Sequence, residues 1–194
     1  MLGKAAVTIW CDVAPEVREE FDHWHAHEHM PERLSIPGFL RGSRWVSADG
    51  GRCFILYELE SEATLTSAAY LERLNNPTPW SRRMMPHHRN MVRGLCRVEA
   101  SAGRARGQWL LTVRSWNATT LDLAALAARK GIVAAHLLRA IDKPPPPTAE
   151  QKLRGGDAAP DVVALVTGYH EAAVQAAAVA GATVGLYRLA YVLS

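Results

Sequence analysis

The sequence has no long hydrophobic run and only three cysteines in 194 residues. No stretch approaches the roughly 20 apolar residues that cross a bilayer, and the apolar start reaches Asp12 too soon for a secretory signal. We therefore expect a cytoplasmic protein without a membrane partner. Cys11, Cys53 and Cys96 cannot make a closed set of disulfides and lack the spacing of a metal site, so they are predicted to be buried thiols.

Neither sign of charge is concentrated in one part of the chain. The net charge is +3, but residues 1–100 hold 12 Lys and Arg against 13 Asp and Glu, while residues 101–194 hold 10 against 6. No nucleic-acid motif accompanies this small surplus, so no nucleic-acid partner is expected. A Gly-rich phosphate loop, a nucleophile elbow and a dinucleotide fingerprint are also missing, so flavin, nicotinamide and ATP chemistry are not predicted, and no cofactor is assigned.

The chain contains two stretches that echo each other. Gly94–Val98 is similar to Gly185–Leu189, and Val7–Ile9 is similar to Leu111–Val113. Matching segments in the same order are typical of an internal repeat. The small and polar residues 101–107 are a plausible linker, which predicts one repeat at 1–100 and a second at 107–194.

Both halves are predicted to have the element order βαββαβ. In the first half, strands are predicted at about 4–11, 39–47, 53–60 and 94–100, with helices at 15–29 and within 62–93. In the second half, strands are predicted at 108–116, 132–141, 161–169 and 182–193, with helices at 120–129 and 171–180. This order is that of a ferredoxin-like unit, a four-stranded antiparallel sheet with two helices on one face. Two such sheets could cover each other face to face. One open sheet with parallel strands is the alternative.

The first half retains two stretches that the second lacks. Residues 23–33 and 78–89 contain six of the eight histidines. A scaffold does not need this chemistry, so the unequal retention indicates that the first half carries the functional site and that the second is a degenerate repeat. Residues 144–160 of the second half predict a long loop.

The first helix carries a carboxylate on its core-facing side. Trp24 lies on the apolar stripe and Glu28 continues it, so Glu28 must be paired, neutral or beside a cavity. Pro31 disfavours a helical residue before it, so we predict that the helix breaks near His29.

Residues 21–45 resemble the EthD-like proteins of the dimeric α+β barrel superfamily. The resemblance rests on Trp24, Glu28-His29, Pro31-Glu32-Arg33 and Pro37-Gly38-Phe39. It implies a barrel of paired ferredoxin-like sheets, a small-molecule cavity between sheet and helices, and members that isomerise, cyclise, decarboxylate or oxygenate organic substrates. The predicted fold class is thus α+β, with tandem ferredoxin-like βαββαβ repeats packing as an intramolecular dimeric α+β barrel. Homodimerisation stays open, since strand edges or helices could still need covering.

A catalytic pair is predicted at the end of the first helix. His29 is the predicted general acid or base, because imidazole accepts and returns protons near neutral pH. Glu28 either orients His29 or supplies a second carboxyl group. The alternative is that His29 is a structural cap at the helix break.

The predicted pocket is roofed by residues 28–33 and 78–91 and floored by the first-half sheet. Arg83 is predicted to hold an anionic end of the ligand. The predicted substrate-binding set is Trp24, Trp80, Arg83 and His87. The alternative for the second stretch is a solvated helical face with Trp and Met packed beneath it.

The run of helix histidines suggests a metal site at first sight. His23 with His27 and His25 with His29 form two i, i+4 pairs on different faces of the helix. One pair could donate two imidazoles to zinc or copper, but a third ligand would have to come from elsewhere, such as His87 or His88. A solvated polar face is the simpler interpretation, so no metal is predicted.

The predicted function is that of a small cofactor-independent enzyme with a small-molecule ligand. It would perform proton-transfer chemistry, such as isomerisation, cyclisation or decarboxylation, on an apolar organic acid or ketone. The first alternative is a binding or accessory protein that sequesters such a compound without turnover. The second is a haem- or metal-dependent or oxygenase-like enzyme.

Overall fold

The described part of the chain forms a closed barrel of eight antiparallel strands. The structure is a computed structural model that describes residues 1–114 and 121–194. The strands are β1 (Ala5–Val13), β2 (Phe39–Val46), β3 (Arg52–Leu59), β4 (His88–Ala102), β5 (Trp109–Arg114), β6 (Ile132–Ala140), β7 (Val162–Gly168) and β8 (Thr183–Leu193). Their order around the barrel is β1-β3-β2-β8-β5-β7-β6-β4, and β4 pairs back onto β1.

Short helical segments cover the outside of the barrel. The α-helices are α1 (Arg18–Trp24), α2 (Met30–Leu34), α3 (Ala68–Asn75), α4 (Pro79–Met84), α5 (Leu123–Ala127), α6 (Ala149–Leu153) and α7 (Glu171–Gln175). A π-helical turn (His25–His29) joins α1 to α2, and 3-10 turns occupy Pro15–Val17, Glu62–Thr66 and Met85–His87. Within the described ranges, none of the helices is both long and apolar enough to cross a membrane.

The predicted fold class is wrong. Instead of tandem ferredoxin-like α+β repeats with two sheets packed face to face, the eight strands form one antiparallel barrel. Its halves are joined edge to edge, where Gly42 of β2 pairs with Leu193 of β8 and Cys96 of β4 pairs with Ala140 of β6. The physical reason is that edge strands expose unpaired N–H and C=O groups, and closure pairs them. The open sheet with parallel strands is not found in the described residues either.

Individual strands nevertheless lie close to their predicted positions. Observed β2, β3, β6, β7 and β8 begin and end within two residues of the sequence-based bounds. Strand β4 begins at His88 rather than near residue 94, because the predicted helix within 62–93 is four shorter segments that end at His87. The predicted strand end at 115–116 and helix start at 120 lie outside the described residues.

Both faces of the first-half strands are buried. Inside the barrel, Trp10, Phe54 and Leu56 belong to one apolar cluster with side chains of the second-half strands. On the outer face of the same strands, Val7 and Ile55 pack beneath the first-half helical segments. Neighbouring residues of one strand therefore enter two different cores, which explains why these strands are apolar at nearly every position.

Two of the three cysteines are paired. Cys11 on β1 lies directly opposite Cys53 on β3, and the two form a disulfide. The prediction of free thiols is therefore wrong for this pair, because strand register joins residues that are 42 positions apart. Cys96 is a buried free thiol, and burial raises its pKa to about 11.

One end of the barrel holds a fully buried carboxylate. Glu58 pairs with Arg41 at 2.7 Å and with Arg106, and it accepts a hydrogen bond from the Leu2 amide at 2.7 Å. Burial alone would raise the pKa of Glu58, but Arg106, the Leu2 amide and Arg41 outweigh it and hold the pKa below its usual value. The Arg106 guanidinium lies over the Trp45 ring at 5.8 Å. This ion-pair cluster fixes the segment between β4 and β5 against the barrel.

Neutralising Glu58 should therefore destabilise the barrel. We expect Glu58→Gln to lower the free energy of unfolding by about 3 kcal/mol, because the partly buried Arg106 loses its counter-charge. Chemical denaturation measures the change. The matched control is Glu60→Gln, an exposed residue two positions along the chain, which should change stability by less than about 0.5 kcal/mol. Equal effects of the two substitutions would contradict the structural role of Glu58.

Candidate active site

The helix after β1 runs through His29 without the predicted break. Helix α1 continues through the π-helical turn into α2, and the Met30 amide donates to the His25 carbonyl five residues earlier. Pro31 has no amide hydrogen to donate, and the wider turn places it within the helix without a break. Among the described residues, Nδ1 of His29 has no hydrogen-bond partner. The helix-cap alternative therefore has no bond to support it at this atom.

A small enclosed cavity lies between this helix and the outer face of the barrel. Its volume of about 20 Å³ is room for about one ordered water. The floor is formed by β1 and β3, and the walls by the π-helical turn, α2, α3, the Met85–His87 turn and α6. The lining residues are Val7, Ile9, His25, His29, Arg33, Ile55, Tyr57, Tyr70, Leu74, Met85, His88, Met91, Arg93, Glu150 and Arg154.

Three buried histidines stand at one end of the cavity. The ring centroids of His25 and His29 are 5.6 Å apart, and His29 packs against Trp24 at 4.6 Å. Burial lowers the pKa of both rings well below the usual value, and Arg44 lowers that of His25 further, as Arg33 does for His29. Burial also lowers the pKa of His88 to about 3. All three imidazoles are therefore neutral at pH 7 and can act as proton acceptors.

Several polar atoms around the cavity lack partners in the described part of the protein. They are Nε2 of His25, Nδ1 of His29 and the hydroxyl of Tyr57, all fully buried. The other nitrogen of His25 contacts the hydroxyl of Tyr191. A buried polar group without a partner costs about 1–3 kcal/mol. Three such atoms among the lining residues of one cavity indicate a place where a bound molecule supplies the missing hydrogen bonds.

Arginines give the cavity a positive character. Arg33 is only 3% exposed and pairs with Glu150, and with Glu32 at 3.2 Å. Burial would lower the pKa of Arg33, but Glu150 and other acidic neighbours raise it, so the guanidinium stays charged. Arg93 donates to the Tyr70 hydroxyl at 2.6 Å. The cavity therefore combines neutral proton acceptors with fixed cations.

Of the predicted catalytic pair, only His29 lines the cavity. The Glu28 carboxylate faces α4 instead, where it accepts hydrogen bonds from Thr78 Oγ1 at 2.5 Å and Ser81 Oγ at 3.3 Å. It also accepts from Trp24 Nε1 at 3.2 Å. Glu28 thus ties the π-helical turn to the start of α4, and its contact with His29 runs through the Trp24 ring.

Of the predicted substrate-binding residues, Trp24 packs behind His29, and the other three lie away from the cavity. Trp80 donates to Glu20 at 2.8 Å, Arg83 is exposed, and neither lines the cavity, nor does His87. The neighbouring His88 lines it instead. Their predicted roles in binding stay predictions, but Arg83 would have to reach the ligand from the surface.

The structure adds residues that the sequence patterns did not single out. Arg33 belongs to the EthD-like resemblance but carries no predicted role, and the patterns suggest His25 only as a metal ligand. Tyr57 sits on the outward face of β3, a position that strand alternation could have identified. Glu150 and Arg154 come from the second half, and no local pattern indicates that α6 reaches the first-half cavity.

Within residues 1–114 and 121–194, no group of three or more His, Cys, Asp or Glu side chains is arranged to hold a metal ion. Arg44, Arg33 and Arg154 each lower the pKa of at least one of the three cavity histidines, and such positive charges would repel a cation.

No protein-family model matches the sequence, and no curated protein matches it. The fold is similar to that of an anthrone oxidase-like protein, with a TM-score of 0.64, 11% identity, and coverage of 99% of this chain and 94% of that chain. It is also similar to a candidate monooxygenase from Lactobacillus acidophilus NCFM (TM-score 0.54, 10% identity, 98% and 95% covered). A third similar structure is a candidate monooxygenase from Fusobacterium nucleatum subsp. nucleatum ATCC 25586, with a TM-score of 0.57, 8% identity, and coverage of 99% of this chain and 95% of that chain. These likenesses, at 11% identity or less, establish a shared fold and do not confirm the EthD-like family.

Buried neutral histidines should make the protein sensitive to mild acid. The unfolded chain protonates histidine near pH 6.5, whereas the folded state keeps His25, His29 and His88 neutral to much lower pH. Unfolding therefore takes up protons below pH 6.5, and stability present above that pH is lost as the pH falls. We expect a loss of about 1.4 kcal/mol per ring between pH 7.5 and 5.5, measured by chemical denaturation.

A single substitution tests the assignment of this slope. His88→Gln should reduce the number of protons taken up on unfolding near pH 5.5 by about one, and the slope of unfolding free energy against pH should fall accordingly. His27→Gln, at an exposed ring, should leave the slope unchanged. Stability that is flat between pH 7.5 and 5.5 would mean that the cavity histidines titrate normally.

Proposed function

We propose that the protein is a cofactor-independent enzyme of the EthD-like type that removes a proton from an apolar organic acid or ketone in this cavity. The observation that carries the proposal is the neutral, fully buried His29, with an unpartnered Nδ1, facing the same cavity as the charged guanidinium of Arg33. A base and a fixed cation around one small space are what the formation of a substrate anion requires.

His29 can act as a base although it is buried, because the substrate anion formed by proton transfer offsets the charge of the new imidazolium. Burial disfavours a lone imidazolium at His29, which is why its pKa is low. When the proton comes from a C–H bond beside a carbonyl group, an enolate forms next to the new imidazolium. The two opposite charges attract strongly in a site that excludes water. Proton transfer is thereby coupled to the presence of substrate.

The oxygen of the substrate anion has two candidate donors. Arg33 supplies a permanent positive charge, and the Tyr57 hydroxyl is buried without a partner. Burial raises the pKa of Tyr57 despite the opposing effect of Arg33, so its hydroxyl stays protonated and can donate. Return of the proton to another carbon gives isomerisation. Addition of the carbanion to a carbonyl carbon of the same substrate, with the proton on His29 passing to that carbonyl oxygen, gives cyclisation. In decarboxylation the bond to the carboxylate breaks with release of CO2, and the carbanion that remains takes up a proton delivered through His29.

A second candidate function is oxygenation of the same carbanion by dioxygen. It is favoured by the anthrone oxidase-like and candidate monooxygenase neighbours. For anthrone, the balanced reaction consumes one O2 and yields anthraquinone and one water, and it starts with loss of a proton from the methylene carbon. The base proposed here would serve that step unchanged.

Hydrogen–deuterium exchange measures proton abstraction directly. Wild-type protein should accelerate exchange at the acidic C–H positions of a panel of ketones, beginning with anthrone, in anaerobic D2O buffer followed by NMR. His29→Ala should reduce the accelerated rate by about 10²–10⁴-fold. His27→Ala, an exposed ring on the same helical turn, is the matched control and should retain the wild-type rate.

The outcomes separate the alternatives. Oxygen uptake and anthraquinone formation in air, lost in His29→Ala, would support the oxygenase form of the proposal. Binding of panel compounds without exchange would support a non-catalytic binding protein instead. Full exchange activity in His29→Ala, with a lower melting temperature, would reduce His29 to a structural residue.

A further inference from the structure

Helix α6 closes the candidate active site from the second half of the chain. It lies in residues 141–161, which connect β6 to β7 and include four consecutive prolines at 144–147. Of this connection, Glu150 and Arg154 line the cavity. The helix is followed by Gly155 and Gly156, which have φ of +82° and +95°, and no atom lies within 4 Å of the place that a Cβ would occupy at either residue. The two glycines thus have open space around them, between α6 and Ala158, which is hydrogen-bonded to β4, so α6 can turn about them.

A buried ion pair ties α6 to the cavity. Glu150 is 2% exposed and receives a hydrogen bond from Arg33, 117 positions away in the chain. Arg154 pairs with Asp157 at 2.7 Å and with Glu150 at 3.8 Å, both within the connection itself. The Ala149 amide donates to the Asn75 side chain of α3 at 3.1 Å, and Ala158, beyond the helix, exchanges backbone hydrogen bonds with Met91 and Arg93 of β4. The Glu150–Arg33 pair is therefore a charged contact between α6 itself and the first half, whereas Ala158 anchors the chain that follows the helix.

Glu150 supplies the single carboxylate among the described lining residues, against the guanidinium groups of Arg33, Arg93 and Arg154. The histidines are neutral, so the lining would keep a surplus of positive charge even with Glu150 in place. Tyr57 and His29, with their unpartnered polar atoms, line the same small space. These donors and cations are suited to bind an anion, and the Glu150 carboxylate of the protein itself is the anion that they bind.

A second cavity adjoins the first through Arg93. It has a volume of about 340 Å³, the size of sites for small organic ligands. Its lining includes Leu95, Ile141 and three of the four prolines, and Gln151 and Asp157 of the α6 connection. Residues 150–157 therefore form part of the wall of both cavities. Movement of this wall would give one space with an apolar end and a cationic end.

We infer that Glu150 holds the place of a ligand carboxylate, and that the substrate is an apolar monocarboxylate whose anionic group displaces Glu150 from Arg33 as α6 opens. The inference rests on the proposal that this cavity is the substrate site. It narrows the substrate class from organic acids and ketones to carboxylates. It also explains how a cavity with room for about one water admits a larger molecule.

Binding of benzoate, with neutral benzamide as the uncharged analogue, tests the inference without any turnover. Calorimetric titration at constant ionic strength should show benzoate binding to Glu150→Gln at least about tenfold tighter than to wild type, because the ligand no longer competes with a bound carboxylate. Benzamide gains only from the loosened helix and not from the freed Arg33, so its affinity should rise by much less than that of benzoate. Arg33→Gln combined with Glu150→Gln should lose the gain, and Glu72→Gln, an exposed carboxylate on neighbouring α3, is the control for net charge.

Limited proteolysis gives an independent measurement on the wild-type chain, should Glu150→Gln fail to fold. Benzoate should increase trypsin cleavage after Lys152 or Arg154, since displaced α6 exposes these bonds, and benzamide should not. Equal gains for benzoate and benzamide in Glu150→Gln would overturn the inference, since Glu150 would then be a latch without ligand mimicry. Unchanged benzoate affinity and cleavage would overturn it as well.

The same titrations separate this inference from the proposed function. His29→Ala removes the proposed base but leaves Arg33 in place, so the double variant of His29→Ala and Glu150→Gln should keep the tightened benzoate binding. Benzoate binding with no exchange chemistry would leave the carboxylate site standing while the enzyme proposal fails. Exchange chemistry on neutral ketones without benzoate binding would give the opposite result.

Discussion

Closure of the barrel is the constraint on which the rest of the structure depends. Pairing of β2 with β8 and of β4 with β6 leaves no free edge among the described strands, and it places the inner faces of both halves around one apolar core. The outer face of the first-half strands then needs its own cover, which the helical segments after β1 and β3 provide. The candidate site lies at that outer interface, outside the barrel, with a rigid floor on β1 and β3.

Such a floor lets the protein keep polar groups in an apolar setting. Buried imidazoles next to arginines are costly, and natural proteins retain unsatisfied groups of this kind mainly where they serve a function. Two of these polar groups, those of His25 and His29, lie in the π-helical turn His25–His29. The extra residue in this turn lets the helix continue through Pro31, which has no amide hydrogen to donate. The turn directs both His25 and His29 toward the cavity. The local irregularity and the site chemistry therefore have one origin.

How far the sequence could predict this arrangement depends on whether a feature is local. The strands were predictable because each is an apolar, β-branched run bounded by turn residues. That His29 lies beside a cavity followed from its place between Trp24 and Pro31, whereas its catalytic role stays a prediction. The pairing of β2 with β8 was not predictable. Nothing in the sequence of either strand distinguishes hydrogen bonding between strand edges from face-to-face packing of two sheets. Glu28 was placed correctly on the core side of the helix. Its hydrogen-bond donor, the hydroxyl of Thr78, is 50 residues away in the chain, so no local pattern could identify it.

The division of labour between the halves follows from the same geometry. The first half supplies the floor, the histidines and Arg33, whereas the second half supplies Glu150 on α6. Because β6 pairs with β4 at the closed edge, the connection leaving β6 starts beside the first-half strands and can reach across them. The second-half helices α5 and α7 pack on β6 and β4 and on β5 and β7, and α6 alone among the described second-half helices lines the cavity. The site is thus complete only when both halves of the chain are folded, since Glu150 reaches Arg33 from a connection that starts where β6 lies beside β4.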